Sequence, residues 1–120
     1  MGAVTAGDRA TWLETYSEDA VLHDPVGGSP LDPDGTGVRG RAALEQFWDL
    51  TVAPNDVRFA ISSVHPSGQE AAVVASVEIT FANDAEVTYD GVFVYAVGED
   101  GRIVSVRSYF DVQAILAALA

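Results

Sequence analysis

With 120 residues, the chain is long enough for one domain around a single core and too short for two. Its 18 acidic against 6 basic residues give a formal net charge of −12, which excludes the Lys/Arg surface that nucleic acid or an anionic membrane requires, so the expected ligand is small and neutral or cationic. Cysteine is absent and His23 and His65 are the only histidines, neither with a second ligand at zinc-site spacing; disulfides, thiol chemistry, a bound metal and a cofactor are therefore not expected.

The N-terminus shows no basic segment followed by an apolar one, and no apolar run reaches the ~20 residues of a membrane span. The location expected is cytoplasmic. Asp8 is placed to cap a helix over 9–17, in which Trp12, Leu13 and Tyr16 share a face. A short strand over 21–24 follows. From Gly27 to Gly40 the glycines and prolines read as loop, and a loop of this length serves commonly as a rim or lid. A second helix is predicted over 41–50, with Leu44, Phe47 and Trp48 turned to the core.

Beyond Asp56 the apolar period changes from helical to two. Strands are predicted over 57–64 and around 73–81, where Val73, Ala75, Val77, Ile79 and Phe81 alternate with their neighbours. After a turn at Asn83-Asp84 come strands over 86–97 and 102–111, joined by the hairpin Gly98-Glu99-Asp100-Gly101. An Ala/Leu-rich helix over 112–119 ends the chain. Two helices followed by a meander of long antiparallel strands predict an α+β domain over 1–120, with a curved sheet wrapping helices.

The residues that carry chemistry lie in Val21-Leu22-His23-Asp24-Pro25-Val26-Gly27. Pro25 disfavours helix at the residue before it, so Asp24 is held extended where a strand stops. Two readings stand for Asp24. It is a turn aspartate, since Asp-Pro is an ordinary turn signal, or a general base whose apolar surroundings raise its pKa. His23, its neighbour, points to the opposite face and reads as surface or interface.

Ala6-Gly7-Asp8, Ser17-Glu18-Asp19-Ala20, Asp24-Pro25-Val26-Gly27, Gly40-Arg41-Ala42-Ala43-Leu44 and the run from Gly101 to Arg107 together resemble the ketosteroid isomerase branch of the NTF2-like (SnoaL-like) superfamily. The resemblance implies a cone: a strongly bent mixed or antiparallel sheet closing over N-terminal helices around an apolar pocket, commonly as a homodimer. It implies a cofactor-independent steroid Δ-isomerase, in which one carboxylate moves a proton between two carbons beside a conjugating ketone. In that family a tyrosine and a neutral aspartic acid hold the dienolate oxygen.

Carried over by position, Asp24 matches the proton-shuttling base, and Tyr16 a tyrosine that supports the oxyanion donor. Trp48 matches another aromatic of that network. The pocket implied is walled by Trp12, Val26, Trp48, Phe93, Tyr95 and Phe110. An ungapped count puts the family's principal tyrosine before Met1, so the first helix is expected to be shortened or absent, baring an apolar patch. Phe93 stands where the family has its neutral acid. Asp90, three residues away, belongs to the other strand face. Tyr89 and Tyr95 share the Phe93 face and are the first substitutes to consider as donors, ahead of Tyr109.

These departures leave a second function open: a non-catalytic or weakly active protein that binds small hydrophobic ligands. A third, a polyketide cyclase or epoxide hydrolase on the same cone, would need inward-facing acids and arginine. Asp34, Arg39 and Arg41 resemble such a set but lie in or beside the glycine-rich loop.

Overall fold

Six strands form one curved open sheet in the order β2-β1-β6-β5-β4-β3, in a computed structural model that describes residues 1–119. The elements are α1 (Gly2–Ala6), α2 (Arg9–Glu14), β1 (Tyr16–His23), β2 (Val38–Arg39), α3 (Arg41–Phe47), a π-helical turn (Trp48–Val52), β3 (Asp56–Ser67), β4 (Glu70–Thr80), β5 (Glu86–Val97), β6 (Ile103–Tyr109) and α4 (Val112–Leu119). Every neighbouring pair is antiparallel except β1 and β6, which run parallel. The sheet is therefore the mixed, curved one that the alternation and the resemblance imply.

The Asp8 side chain caps α2, accepting from the Thr11 amide at 3.2 Å and the Thr11 hydroxyl at 2.7 Å. The helix stops at Glu14, not at 17, and the Thr15 hydroxyl donates to the Trp12 carbonyl at 2.6 Å. The Thr15 carbonyl then accepts the Ile103 amide at 2.8 Å, which draws the chain onto the sheet and starts β1 at Tyr16 rather than Val21. A register shift between Tyr16 and Val21 absorbs the mismatch.

The second helix likewise changes character. α3 gives way at Trp48 to a π turn, in which the Thr51 hydroxyl bonds the Phe47 carbonyl at 2.6 Å and the Ala53 amide reaches back five residues to the Trp48 carbonyl at 3.0 Å. The segment 27–37 is neither rim nor lid of the inner cavity. Asp32 organises it, its carboxylate accepting the Gly37 amide at 3.0 Å and its carbonyl the amides of Ser29 and Gly35. Gly37 packs so closely on β1 that a Cβ there would stand 2.7 Å from Val21 and 3.0 Å from the His23 ring.

Buried side chains form two clusters. One, including Trp12, Leu13, Leu22, Leu44 and Trp48, lies between the helices and β1. The other, Val57, Val73, Ala75, Val77 and Phe93, lines the concave face of β3 to β5. α1 is a five-residue helix whose Val4 packs against both clusters. On the same concave face, Ile61 and Val64 pair with Ala75 and Val73 yet stay 54% and 53% exposed.

Candidate active site

Between the two clusters lies an apolar chamber of about 110 Å³, open to solvent at its mouth. β1 and the turn after it supply Tyr16, Leu22 and Asp24; β5 supplies Tyr89, Phe93 and Tyr95; β6 supplies Val106 and Ser108. The period-two alternation of β5 puts its three aromatics on one face. Among the described residues, Asp24 is the only charged side chain on this wall.

Asp24 sits one residue past the end of β1, and its peptide bond to Pro25 is cis. The Val26 amide donates to the Ser108 carbonyl at 2.8 Å, and this bond pins the segment against β6. Asp24 is half-buried and lines the chamber. Burial pushes its pKa up to about 6, while a hydrogen bond from the Ser108 hydroxyl pulls it the other way. Just below neutrality such a group both takes and returns a proton readily.

The three phenols of the wall keep their protons. Burial holds Tyr16 far above its usual range, with the nearby Tyr95 and Asp24 adding to the shift; the Trp12 indole N–H beside its oxygen acts weakly against it. Tyr89 is raised by burial and by Asp24. Tyr95 is pushed up to about 12 by the same two causes.

Of the residues expected in the site, Trp12, Tyr16, Asp24, Phe93 and Tyr95 meet around the chamber. Three lie off its wall. Trp48 is buried behind Trp12, ring centroids 5.2 Å apart, because the start of the π turn directs it into the helix-side core. Val26 follows the turn at Pro25 and is held at β6 through its backbone. Phe110 lies past the end of β6 and packs on Tyr89, centroids 4.7 Å apart. There it lines an outer compartment, about 580 Å³ and widely open, walled also by Val112, Ile115 and Leu119 of α4. Asp24, Thr51, Ile79 and Tyr89 border both spaces, so Asp24 stands where they join.

Other candidates fall elsewhere. Asp90 is on the outer face, bonded to the Ser76 hydroxyl, and Tyr109 is exposed and accepts from the Arg107 guanidinium at 3.2 Å. Asp34, Arg39 and Arg41 do not reach the chamber, so the acid–arginine set of an epoxide hydrolase is not assembled. His23 is half-buried beneath the loop at Gly37, its Nδ1 buried without a partner among the described residues. Sequence reasoning missed Ser108 and Thr51. Their only signal was position, Ser108 on the inward face of β6 and Thr51 one helical turn beyond Phe47.

Residues 1–106 match the SnoaL-like domain family. No curated protein sequence matches the chain. Among solved structures it is similar to the Δ5-3-ketosteroid isomerase from Mycobacterium sp., at 40% identity and a TM-score of 0.89 over 94% of this chain and 88% of that one. It is similar to Rv0760c from Mycobacterium tuberculosis in complex with estradiol-17β-hemisuccinate, at 32% identity and a TM-score of 0.88 over 93% and 88% of the two chains. A computationally designed 17-OHP binder matches at 29% identity and a TM-score of 0.89, over 93% and 87%. With its sheet order, its cone and nearly all its length accounted for, the chain belongs to the SnoaL-like family of the NTF2-like fold, beside ketosteroid isomerase.

Proposed function

We propose that this protein is a cofactor-independent isomerase acting on a neutral, apolar, steroid-like ketone, with Asp24 as the general base. The observation that carries this reading is the lone charged side chain on an apolar chamber, raised to about 6 by burial. The Asp24 carboxylate removes a proton from the carbon between the ketone and an isolated double bond. This leaves a dienolate and a neutral Asp24. The acid then returns the proton to the far carbon, giving the conjugated ketone with no net change in atoms or charge. Tyr16, buried against Trp12, supports the chamber wall beside the base.

The similarity to a Δ5-3-ketosteroid isomerase supports the substrate class. Asp24→Asn keeps the shape and removes the base, and turnover of a Δ5-3-ketosteroid should fall by roughly 10²–10⁴. An unchanged rate sinks the assignment.

A second reading, a steroid-binding protein without turnover, is favoured by Phe93 standing where the isomerases have a neutral acid, and by the ligands named for two similar structures. Tight steroid binding by calorimetry with no isomerisation selects it. Under either reading we place a homodimer on the outer sheet face, where Val74, Val92 and Tyr109 form one cross-strand row and Val92 and Tyr109 are 37% and 44% exposed. Val92→Glu should then yield a monomer in light scattering.

A further inference from the structure

We propose that Tyr95 donates the hydrogen bond that holds the developing enolate oxygen while Asp24 moves the proton. The proposal rests on the isomerase reading above and assigns the donor that Phe93 leaves vacant.

Strand register carries the argument. His23 pairs with Arg107 and the Val26 amide bonds the Ser108 carbonyl, so Asp24 is level with Ser108; Ser108 in turn pairs with Phe93. Phe93 is thus directly across from the base, yet its ring does not fill the space between. It lies back over Gly91, where a Cβ would stand 3.1 and 3.2 Å from ring carbons, and meets Phe59 edge-on with centroids 6.1 Å apart. The ring's retreat leaves room for a ligand beside Asp24.

Tyr95 is the next inward-facing residue along β5, one strand repeat of about 6–7 Å from Phe93. It is level with Val106 of β6 and Leu22 of β1. Its ring packs against both core clusters, between which the chamber lies. Tyr89 lies four residues from Phe93 the other way, and its ring is engaged with Phe110 at the outer compartment. Tyr16, 5% exposed, is packed against Trp12 with centroids 4.8 Å apart, in the helix-side cluster on which Tyr95 rests. Tyr95 is therefore the phenol placed both beside the gap left by Phe93 and on the chamber wall.

Electrostatics favour the same residue. As Asp24 takes the proton, one negative charge leaves the carboxylate and appears on the ligand oxygen, so the charge inside the chamber is constant. A neutral donor near that oxygen gains strength only as the charge arrives, which is binding of the transition state above the ground state. Tyr95 stays protonated across the working range, because burial and Asp24 both raise it. It keeps its proton throughout.

Two readouts on Tyr95→Phe, which deletes one oxygen and keeps the ring, test this. With 5-androstene-3,17-dione, kcat should fall about 10²–10³-fold with little change in KM. In an Asp24→Asn background, whose amide mimics the protonated acid, 4-nitrophenolate binding read by its absorbance should weaken roughly 10–100-fold on Tyr95→Phe. Tyr89→Phe is compared in both assays. A loss under about threefold in Tyr95→Phe, or a larger loss in Tyr89→Phe, overturns the assignment. The phenolate readout needs no turnover, so it decides Tyr95 even if Asp24→Asn shows the isomerase reading itself to be wrong. Unaltered binding of 5α-androstane, which has no oxygen, confirms that the variants keep the chamber.

Discussion

Ser108 meets the Asp24 segment through two parts of itself: its backbone carbonyl accepts the Val26 amide at 2.8 Å, and its hydroxyl, beside the Asp24 carboxyl, favours the charged form. One residue of β6, 1% exposed, thereby sets both the position of the candidate base and part of its acidity. Burial and this hydroxyl act in opposite directions, and burial is the larger effect.

The rate should follow the ionisation of Asp24. With the carboxyl at about 6, kcat/KM should rise through that pH and level off above it. The phenols introduce no falling limb in the neutral range, since Tyr95 ionises only near 12. A profile flat between pH 4 and 8 would remove Asp24 from the reaction.

Ser108→Ala deletes the hydroxyl that favours the charged carboxylate, so the rising limb should move to higher pH. The plateau rate should fall less than in Asp24→Asn, because the base is retained. The measurement is the same pH series on the variant, and a limb that moves down would contradict the described bond.

Asp24→Asn should stabilise the protein at neutral pH. The sign follows from linkage: a pKa of about 6 in the folded chain, against the ordinary 3.8 of an aspartate, means that the folded chain holds the proton more tightly. Stability falls as pH rises between those values, and above them the buried carboxylate costs on the order of 2–3 kcal/mol. Denaturant melts of the two proteins should differ most at pH 7–8 and converge below about pH 4. An aspartate serving only a turn would give the opposite sign.

Gly91→Ala places a Cβ 3.1 Å from the Phe93 ring and 3.2 Å from the Tyr109 carbonyl. The ring must give way toward the chamber, at a cost of about 1–2 kcal/mol in stability. Steroid affinity measured by calorimetry should weaken with it. Undiminished affinity would show that the Phe93 ring does not bound the ligand space.

Much of this was legible in the residues. The alternation of β5 placed Tyr89, Phe93 and Tyr95 on one face and Asp90 on the other, because strand side chains repeat every two residues whatever the rest of the chain does. The Asp8 cap and the helix 112–119 were legible for the same reason, being local. The start of β1 was not: Tyr16 suits a helix, and it enters the sheet only because Ile103 captures the Thr15 carbonyl. Trp48 was expected at the ligand and packs behind Trp12, since a π turn rotates side chains away from the helical period. The loop 27–37 looked free to cover a pocket, but a single buried acid, Asp32, folds it onto β1.

The order of residues alone determined the strand alternation, the acidic charge and an aspartate stopped at a strand end by proline, since each depends on side chains within a few positions of one another. Only the tertiary structure decided that Asp24 lines an apolar chamber, that the Ser108 hydroxyl lies beside it and that Phe93 turns away from it. Those outcomes depend on the parallel pairing of β1 with β6 and on the curvature of the sheet, which join residues far apart in the chain. Burial then raises the carboxyl toward neutrality, a property that no local stretch of sequence contains.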